Sequence, residues 1–170
     1  MLHAELTRRI LRAYYEVHWE LGCGFLEAVY CRALAVALSD GRLNFVREPA
    51  IDVMFRGRAI ARFRADFIVE GCILLEVKAC REVEPGHTAQ LLNYLRATDI
   101  EIGLLLNFSS KADFRRLVFA NARKTLRVPP RTSAAAREQI HREAAARLDA
   151  APPASVDKRH ASAAPAAAGG

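Results

Sequence analysis

The chain has 170 residues, 52% of them hydrophobic, which is enough for one domain with a sizeable core and some additional length. Its 25 Lys and Arg residues against 19 Asp and Glu leave a formal net charge of +6, which favours an acidic partner such as nucleic acid, but only weakly. No stretch approaches the roughly 18 consecutive apolar residues of a membrane helix, and the N-terminal segment lacks the apolar stretch of a secretory signal. We therefore expect a cytoplasmic protein with no membrane partner.

Two helices are predicted at the start of the chain. The segment "AELTRRILRAYYEVHWEL", residues 4–21, places apolar side chains at helical spacing: Leu6, Ile10, Tyr14, Val17 and Leu21. The "GCG" at 22–24 breaks this pattern. The segment "FLEAVYCRALAVALSDG" then predicts a second helix over 25–41, ending near Gly41 as a left-handed cap.

The next part of the chain has the signals of three strands. "FVREPAIDVMF" at 45–55 leads to a turn at Arg56-Gly57, and "RAIARFRADFIV" at 58–69 leads to a turn at Glu70-Gly71. The run "CILLEVKAC" at 72–80 follows and is the most apolar of the three. Consecutive strands joined by such short turns predict antiparallel pairing.

A helix and further strands complete the core. "HTAQLLNYLRAT" at 87–98 predicts a short amphipathic helix, "EIGLLLNF" at 101–108 a buried strand, and "DFRRLVF" at 113–119 a last edge strand. This order of elements predicts an α/β fold with one central mixed β-sheet flanked by helices, in α-β-β-β-α-β order.

The composition changes after Val128. Residues 129–170 are rich in Ala, Pro and Arg with almost no large apolar side chains, and they hold six Lys and Arg against four Asp and Glu. Such a segment cannot bury a core, so we predict a disordered C-terminal tail that follows a single domain over 1–128.

The hairpin at 58–80 contains charges in an apolar context. Glu76 and Lys78 lie two residues apart on a predicted strand, so their side chains share one face, and Asp66 lies on the partner strand. Burying an unpaired charge costs several kcal/mol, so such residues require partners. A divalent metal would neutralise the two acids, and Mg²⁺ with its preference for oxygen ligands suits a site of two carboxylates.

The hairpin register decides whether this site can form. A two-residue turn at Glu70-Gly71 would place Asp66 and Glu76 on opposite faces of the hairpin. We therefore predict an odd loop, such as three residues at 70–72, or a bulge near Asp66. The alternative interpretation is that Asp66 marks a strand end and that Glu76 and Lys78 form an exposed ion pair at a sheet edge.

Asp66 followed by Glu76-x-Lys78 on the next strand resembles the signature of the PD-(D/E)XK nuclease superfamily, with Ala65 where that signature has proline. The resemblance implies a restriction-endonuclease-like core. It also implies a catalytic site in which Asp66 and Glu76 bind Mg²⁺, with Mn²⁺ as a substitute, and Lys78 orients or helps deprotonate the attacking water.

The segment "GFLEAVY" at 24–30 resembles the motif of the GxxExxY family within this superfamily. Gly24, Glu27 and Tyr30 fall in register, whereas Cys23 stands where proline is common. The resemblance extends over roughly residues 5–120 and implies that Glu27 supplies a further metal contact. Tyr30 lies one helical turn from Glu27 and is either a nucleic-acid contact or a core tyrosine.

Gln90 and Tyr94, spaced by four residues, share a helix face and are similar to the Gln-x-x-x-Tyr motif of bacterial recombination nuclease domains. That likeness implies that the pair orients Lys78 and contacts nucleic acid. His87 is a candidate contact to phosphate or metal, and His18 a candidate support for Glu27. The alternative for Gln90 and Tyr94 is a polar helix face capped by an aromatic residue, and each histidine has a purely structural alternative.

Two groups of basic residues are candidates for phosphate contacts. The first lies along the strand leading to Asp66 and consists of Arg56, Arg58, Arg62 and Arg64, of which Arg62 and Arg64 lie closest to the predicted site. The second lies on and after the last strand and consists of Arg115, Arg116, Arg123, Lys124 and Arg127. A solvated surface is the alternative interpretation for both groups.

The leading hypothesis is thus a Mg²⁺-dependent nuclease that hydrolyses phosphodiester bonds, with DNA as the favoured polymer. The alternative is a module of the same fold that binds nucleic acid or docks another protein without cutting. A homodimer and a larger repair or defence complex are both compatible with the sequence.

Overall fold

The computed structural model describes residues 2–124. The predicted domain end at 128, the predicted disorder of 129–170, and Arg127 therefore lie outside the described residues. Within residues 2–124, no helix is long and apolar enough to cross a membrane.

The two N-terminal helices form as predicted, with different ends. Helix α1 spans Ala4–Leu21 and buries Ile10, Tyr14 and Val17 along one stripe. Helix α2 spans Glu27–Asp40, so it begins two residues later than predicted. The prediction of a left-handed cap at Gly41 is wrong: Gly41 has a φ of −71°, and the following residue, Arg42, takes the positive φ of 53°.

The first two predicted strands are each divided in two. The first becomes β1 (Phe45–Arg47) and β2 (Ala50–Phe55), and the second becomes β3 (Arg58–Arg64) and β4 (Phe67–Val69). The two breaks lie next to each other in the structure. The first is at Pro49, between β1 and β2, and the second is at Ala65-Asp66, between β3 and β4. Proline has no N–H to donate to a strand ladder, so pairing is interrupted there. The Glu48 N–H donates to the Asp66 carbonyl, and the Ala65 N–H donates to the Pro49 carbonyl.

The remaining elements follow the predicted order. They are β5 (Ile73–Lys78), α3 (Pro85–Ala97), β6 (Ile102–Asn107) and β7 (Asp113–Val118), followed by a 3-10 turn at Asn121–Arg123. Helix α3 begins at Pro85, two residues before the predicted start, because proline is well tolerated in the first helical turn.

Five of the strands form the central mixed sheet, in the order β1-β4-β5-β6-β7. The β5–β6 pair is parallel and the other pairs are antiparallel, with β7 at an edge as predicted. Strands β2 and β3 pair only with each other. The prediction of one central mixed sheet is confirmed, but residues 50–64 form a separate two-stranded hairpin, which we call the ribbon.

Helices cover both faces of the central sheet. Helices α1 and α2 pack against Ile73, Leu75 and Val77, while α3 and the inner face of the ribbon pack against Leu74 and Leu105. Gly103 on β6 lies beneath α3, where an added Cβ would meet the Leu91 side chain at 2.8 Å. Glycine at this position therefore lets α3 lie close to the sheet.

The register of the β4–β5 hairpin agrees with the sequence prediction. Phe67 pairs with Leu75 and Val69 pairs with Ile73, which leaves the three residues 70–72 as the loop. Glu70 and Gly71 adopt positive φ values of 48° and 63° in this turn. Continuing the pairing by one residue brings Asp66 opposite Glu76 on the same face of the sheet.

Candidate active site

The candidate site lies at the carboxyl end of β5. Side chains of β5 alternate between the two faces of the sheet. Because Ile73, Leu75 and Val77 face α1 and α2, the face on which α3 packs carries Leu74, Glu76 and Lys78. Glu76 is buried, with 3% of its surface exposed. The alternative of an exposed Glu76–Lys78 pair at a sheet edge is therefore wrong, because β5 is a central strand and the carboxylate is inside the protein.

Asp66 is held where the ribbon meets the central sheet. It lies between β3 and β4, and its Oδ2 accepts a hydrogen bond of 2.7 Å from the Val77 N–H on β5. This bond orients the carboxylate along the neighbouring strand, at the level of Glu76. The bend that divides the predicted strand thus places Asp66 beside the acid of the next strand.

Lys78 lies between two acids. Its Nζ donates to Glu76 Oε1 at 2.8 Å and is 3.8 Å from Glu27 Oε2. Glu27 is the first residue of α2, so it reaches Lys78 from the opposite helical layer, past the end of β5. The structure therefore gathers Asp66, Glu76, Lys78 and Glu27 from three separate elements.

Burial raises the pKa values of all three acids. Desolvation, together with the nearby charge of Asp66, raises the pKa of Glu76 to about 7. Desolvation likewise raises the pKa of Asp66 and of Glu27, while the Lys78 ammonium opposes the shift at both. Carboxyl groups held in such a destabilised anionic form favour a bound cation.

The pKa of Lys78 is raised above its ordinary value. Its burial favours the neutral amine, but the hydrogen bond to Glu76 and the charges of Glu76, Glu27 and Asp66 outweigh that effect. Lys78 is therefore a protonated ammonium at neutral pH, suited to stabilise negative charge rather than to accept a proton.

The donor set can be tested against a divalent metal. Glu76 Oε2 is a buried oxygen with no hydrogen-bond partner in the described part of the chain, and Asp66 lies opposite it, so two hard oxygen donors suit an ion such as Mg²⁺. Across residues 2–124, however, no group of three or more His, Cys, Asp or Glu side chains is close enough to hold a metal. Glu27 meets Lys78 instead, so the structure supports a two-carboxylate site but does not assemble the predicted three-acid set.

Gln90 and Tyr94 lie together on the face of α3 that meets the site. Gln90 Nε2 donates to the Tyr94 hydroxyl at 2.6 Å, and that hydroxyl donates to the Arg64 carbonyl at 3.2 Å. Desolvation, followed by the charges of Glu76 and Asp66, raises the pKa of Tyr94 despite the opposing Gln90 bond. The pair therefore connects α3 to the end of the ribbon, two residues before Asp66.

Two other candidates, Tyr30 and His18, have clear structural positions. Tyr30 is fully buried, stacks on Phe108 and donates to the Gly22 carbonyl at 2.9 Å, which makes it a core tyrosine without access to nucleic acid. His18 Nε2 lies 2.8 Å from the Ser109 carbonyl, so its ring meets that loop instead of Glu27.

His87 is half-buried in the first turn of α3. Its Nδ1 accepts a hydrogen bond from the Glu84 N–H at 3.2 Å, as part of a capping box. The proximity of His87 also opposes the rise in the pKa of Glu27. His87 thus combines a structural role with a position beside the candidate site.

Arg62 and Arg64 lie on the outward face of the ribbon, opposite the side that packs on α3. Arg62 pairs with Asp52 at 2.6 Å, and Arg64 pairs with Glu48 at 3.4 Å. More than two thirds of each arginine side chain is exposed. Both guanidinium groups are therefore accessible to solvent.

Asn107 is a site residue that the sequence reasoning missed. It is buried, lies beside Lys78 in the β5–β6 register, and bonds both the N–H and the carbonyl of Cys80 at 3.1 and 2.9 Å. The chain is thereby clamped two residues after Lys78. A polar residue at the end of the apolar run "GLLLNF" is the signal that could have revealed it, since a buried amide needs partners.

The family of the chain follows from a comparison with family profiles. A family profile described as the PD-(D/E)XK nuclease superfamily matches residues 4–117. The chain belongs to this superfamily. Among solved structures, the crystal structure of SSO0001 is similar with 17% identity and a TM-score of 0.46, covering 87% of this chain and 69% of that one. The search of curated proteins found no match.

Proposed function

We propose that this protein is a metal-dependent nuclease that hydrolyses phosphodiester bonds, with DNA as its polymer. The observation that carries the proposal is the register of the β4–β5 hairpin, which sets Asp66 opposite the buried Glu76 while Lys78 bonds that same glutamate at 2.8 Å. Burying these charges costs free energy, and a bound metal would offset part of that cost.

Asp66 and Glu76 would hold the metal, which we propose to be Mg²⁺ with Mn²⁺ able to substitute. When bound, such an ion polarises the phosphate and activates a water nucleophile. The buried, unpartnered Glu76 Oε2 supports this assignment. Glu27 is proposed as a support for Lys78, and as a metal contact only if its side chain moves away from the ammonium.

Lys78 would stabilise the negative charge that develops on the attacked phosphate. Its raised pKa supports a role as a fixed cation, and its bond to Glu76 holds the ammonium in one place. Asn107 would keep the end of β5 in position. Gln90 and Tyr94 would hold the Arg64–Asp66 segment against α3 and contact the nucleic acid strand.

The finer family assignment is also part of the proposal. The "GFLEAVY" segment supports membership of the GxxExxY family, because Gly24 lies in the loop before α2 with a φ of 107° and Glu27 opens that helix. Such a φ favours glycine, and Tyr30 fixes the same loop by donating to the Gly22 carbonyl.

One observation favours a second candidate function, a non-catalytic module that binds nucleic acid or docks a protein. The Lys78 ammonium already neutralises Glu76 and approaches Glu27, so the acids have a resident cation without any metal. A homodimer or a repair or defence complex would be the setting for either function.

The test is incubation of the purified protein with Mg²⁺ or Mn²⁺ and labelled single-stranded, double-stranded and branched DNA and RNA. We expect metal-dependent cleavage of DNA that is lost in Lys78→Ala and in EDTA. Arg12→Gln, which changes one exposed charge on α1, is the matched control and should cut like the wild type. Binding without any cleavage, with and without metal, would support the non-catalytic module instead.

A further inference from the structure

The ribbon has a feature that the catalytic site does not explain: an accessible, strongly basic surface outside the central sheet. Residues 50–64 contain four arginines and one acid, Asp52. The arginines are Arg56, Arg58, Arg62 and Arg64, and all of them are exposed. Phe55 and Ile60, near the tip, are also 52% and 64% exposed.

The base of the ribbon is fixed while its tip is free of the core. Ile51 and Phe63 point inward to α3, where the Phe63 ring lies 5.5 Å from that of Tyr94. Arg62 pairs across the ribbon with Asp52 and therefore faces outward, as does Arg64 two residues on. Arg56 and Gly57 form the two-residue turn at the tip, and Arg58 follows it.

The acids near these arginines leave the guanidinium groups accessible to an anionic ligand. Asp52 pairs with Arg62 and Glu48 with Arg64, and both pairs lie at the surface. Exposed ion pairs of this kind exchange readily with solvent and contribute little to stability. Arg56 at the tip lies over the Phe55 ring at 5.1 Å, which leaves its charge facing solvent.

We propose that the ribbon enters the major groove of B-form duplex DNA and that its arginines contact the phosphates beside the cleaved strand. This inference rests on the proposed nuclease function and adds the substrate class, which is double-stranded DNA. Three observations support it: the charge of the ribbon, its continuity with the site, and its dimensions.

Continuity with the site is direct. Only Ala65 separates Arg64 from Asp66, and the Tyr94 hydroxyl holds the Arg64 carbonyl at 3.2 Å. The chain thus passes from the last arginine of the ribbon to the proposed metal ligand within two residues, and a DNA strand bound at Asp66 would lie beside the base of the ribbon.

The dimensions fit a duplex groove. Two paired strands lie about 4.8 Å apart, so a ribbon with its side chains enters a major groove about 12 Å wide. The seven residues of β3 extend about 20 Å at roughly 3.3 Å per residue, comparable to the width of a duplex. The major groove of A-form RNA is deep and narrow, so an RNA duplex does not offer the same fit.

The experiment compares binding of the full chain, in EDTA so that no strand is cut, to a 20-base-pair DNA duplex, one of its single strands, and an RNA duplex of the same sequence. The ribbon variant is Arg56→Gln/Arg58→Gln, at the tip and away from the catalytic groups. The matched control is Arg8→Gln/Arg12→Gln, which removes two exposed charges from α1. Far-UV circular dichroism checks that each variant is folded.

We expect the ribbon variant to bind duplex DNA at least about 10-fold more weakly than the control in about 0.1 M salt. Its slope of log K against log salt should fall by about 2, since each lost phosphate contact contributes about 0.9. Binding to the single strand and to the RNA duplex should change less than about threefold. Equal losses on all three polymers, or no difference from the control, would overturn the inference.

The same series separates this inference from the proposed function. If the wild type cuts DNA with Mg²⁺ while the ribbon variant binds duplex normally, the ribbon inference fails and the nuclease stands. If the ribbon variant loses duplex binding but the wild type never cuts any polymer, the nuclease fails and the ribbon remains a duplex-binding element.

Discussion

The ribbon and the β4–β5 hairpin are two antiparallel hairpins of the same chain that differ in where their charged side chains lie. Both turn through a residue followed by glycine with positive φ values, Arg56-Gly57 in one and Glu70-Gly71 in the other. The ribbon has a two-residue loop and exposed charges, whereas the β4–β5 hairpin has a three-residue loop and buried charges.

The comparison shows that burial, not residue type, distinguishes the candidate catalytic charges. Asp52 and Asp66 both have cationic neighbours, but Asp52 pairs with Arg62 at the surface while Asp66 is held by a backbone N–H near other acids. The pKa of Asp52 is lowered by its bond to Arg62, and that of Asp66 is raised by desolvation. The predictions that follow change matched residues in the two hairpins.

The largest expected effect is on cleavage. Asp66→Asn should slow DNA cleavage by about 1,000-fold or more, the usual scale for losing an essential catalytic group, because the amide cannot replace the anionic ligand. Asp52→Asn on the ribbon should stay within about threefold of the wild type. Initial rates with Mg²⁺ test this pair, and equal loss in both variants would contradict the distinction between the hairpins.

The second effect concerns metal binding. Mg²⁺ or Mn²⁺ should raise the Tm of the wild type, since a ligand at 100 times its Kd stabilises the folded state by about 2.7 kcal/mol. EDTA should reverse the rise. Glu76→Gln should abolish it, whereas Glu48→Gln, next to the ribbon, should retain it. A metal response that survives in Glu76→Gln would place the ion elsewhere.

The third effect is on the stability of the metal-free protein. Because the pKa of Glu76 is raised from 4.5 to about 7, its stabilising contribution is present below about pH 4.5 and is lost as pH rises toward 7. A shift of that size corresponds to roughly 3 kcal/mol at most. Glu76→Gln in EDTA should therefore be more stable than the wild type at pH 8, by about 2 kcal/mol, and equal to it near pH 4.

Urea unfolding at the two pH values measures this difference, with Glu48→Gln as the exposed control. The glutamine oxygen can still accept the Lys78 hydrogen bond, so the variant isolates the buried negative charge. Destabilisation by Glu76→Gln at pH 8 would mean that the bond to Lys78 outweighs the desolvation of the carboxylate.

The central part of the fold was open to prediction because its signals are local. Apolar periodicity identified both N-terminal helices, and the apolar runs identified β5 and β6. The register of β4–β5 was predictable from chemistry, since only an odd loop brings Asp66 and Glu76 to one face.

Other features depend on contacts that the sequence does not display. The bend at Pro49 separates the ribbon because it coincides in space with Asp66, on a segment 17 residues away. The bond between Asn107 and Cys80 joins two strand ends across a crossover. Glu27 contacts Lys78 because α2 begins beside the carboxyl end of β5. The packing of α2 against the sheet also buries Tyr30.

The fourth effect lies where the two hairpins meet. Tyr94→Phe removes the hydroxyl that bonds Gln90 and the Arg64 carbonyl, which should reduce cleavage by about 10-fold and stability by about 1 kcal/mol. The control is Tyr15→Phe, an exposed tyrosine of α1, which should be neutral. If Tyr94 positions Asp66, kcat should fall more than KM rises; a change confined to KM would indicate a substrate contact alone.

The smallest effect on folding is expected at the outer face of the ribbon. Arg62→Gln breaks the 2.6 Å pair with Asp52, yet the Tm should not change measurably, because both groups are exposed and solvent replaces the lost interaction. Duplex DNA binding should nevertheless weaken a few-fold, with a salt slope smaller by about 1. The short distance between Arg62 and Asp52 therefore contributes little to stability, in contrast to the 2.8 Å hydrogen bond between Lys78 and Glu76 inside the site. A clear fall in Tm for Arg62→Gln would show that the ribbon charges are structural, and the contrast between the two hairpins would then be lost.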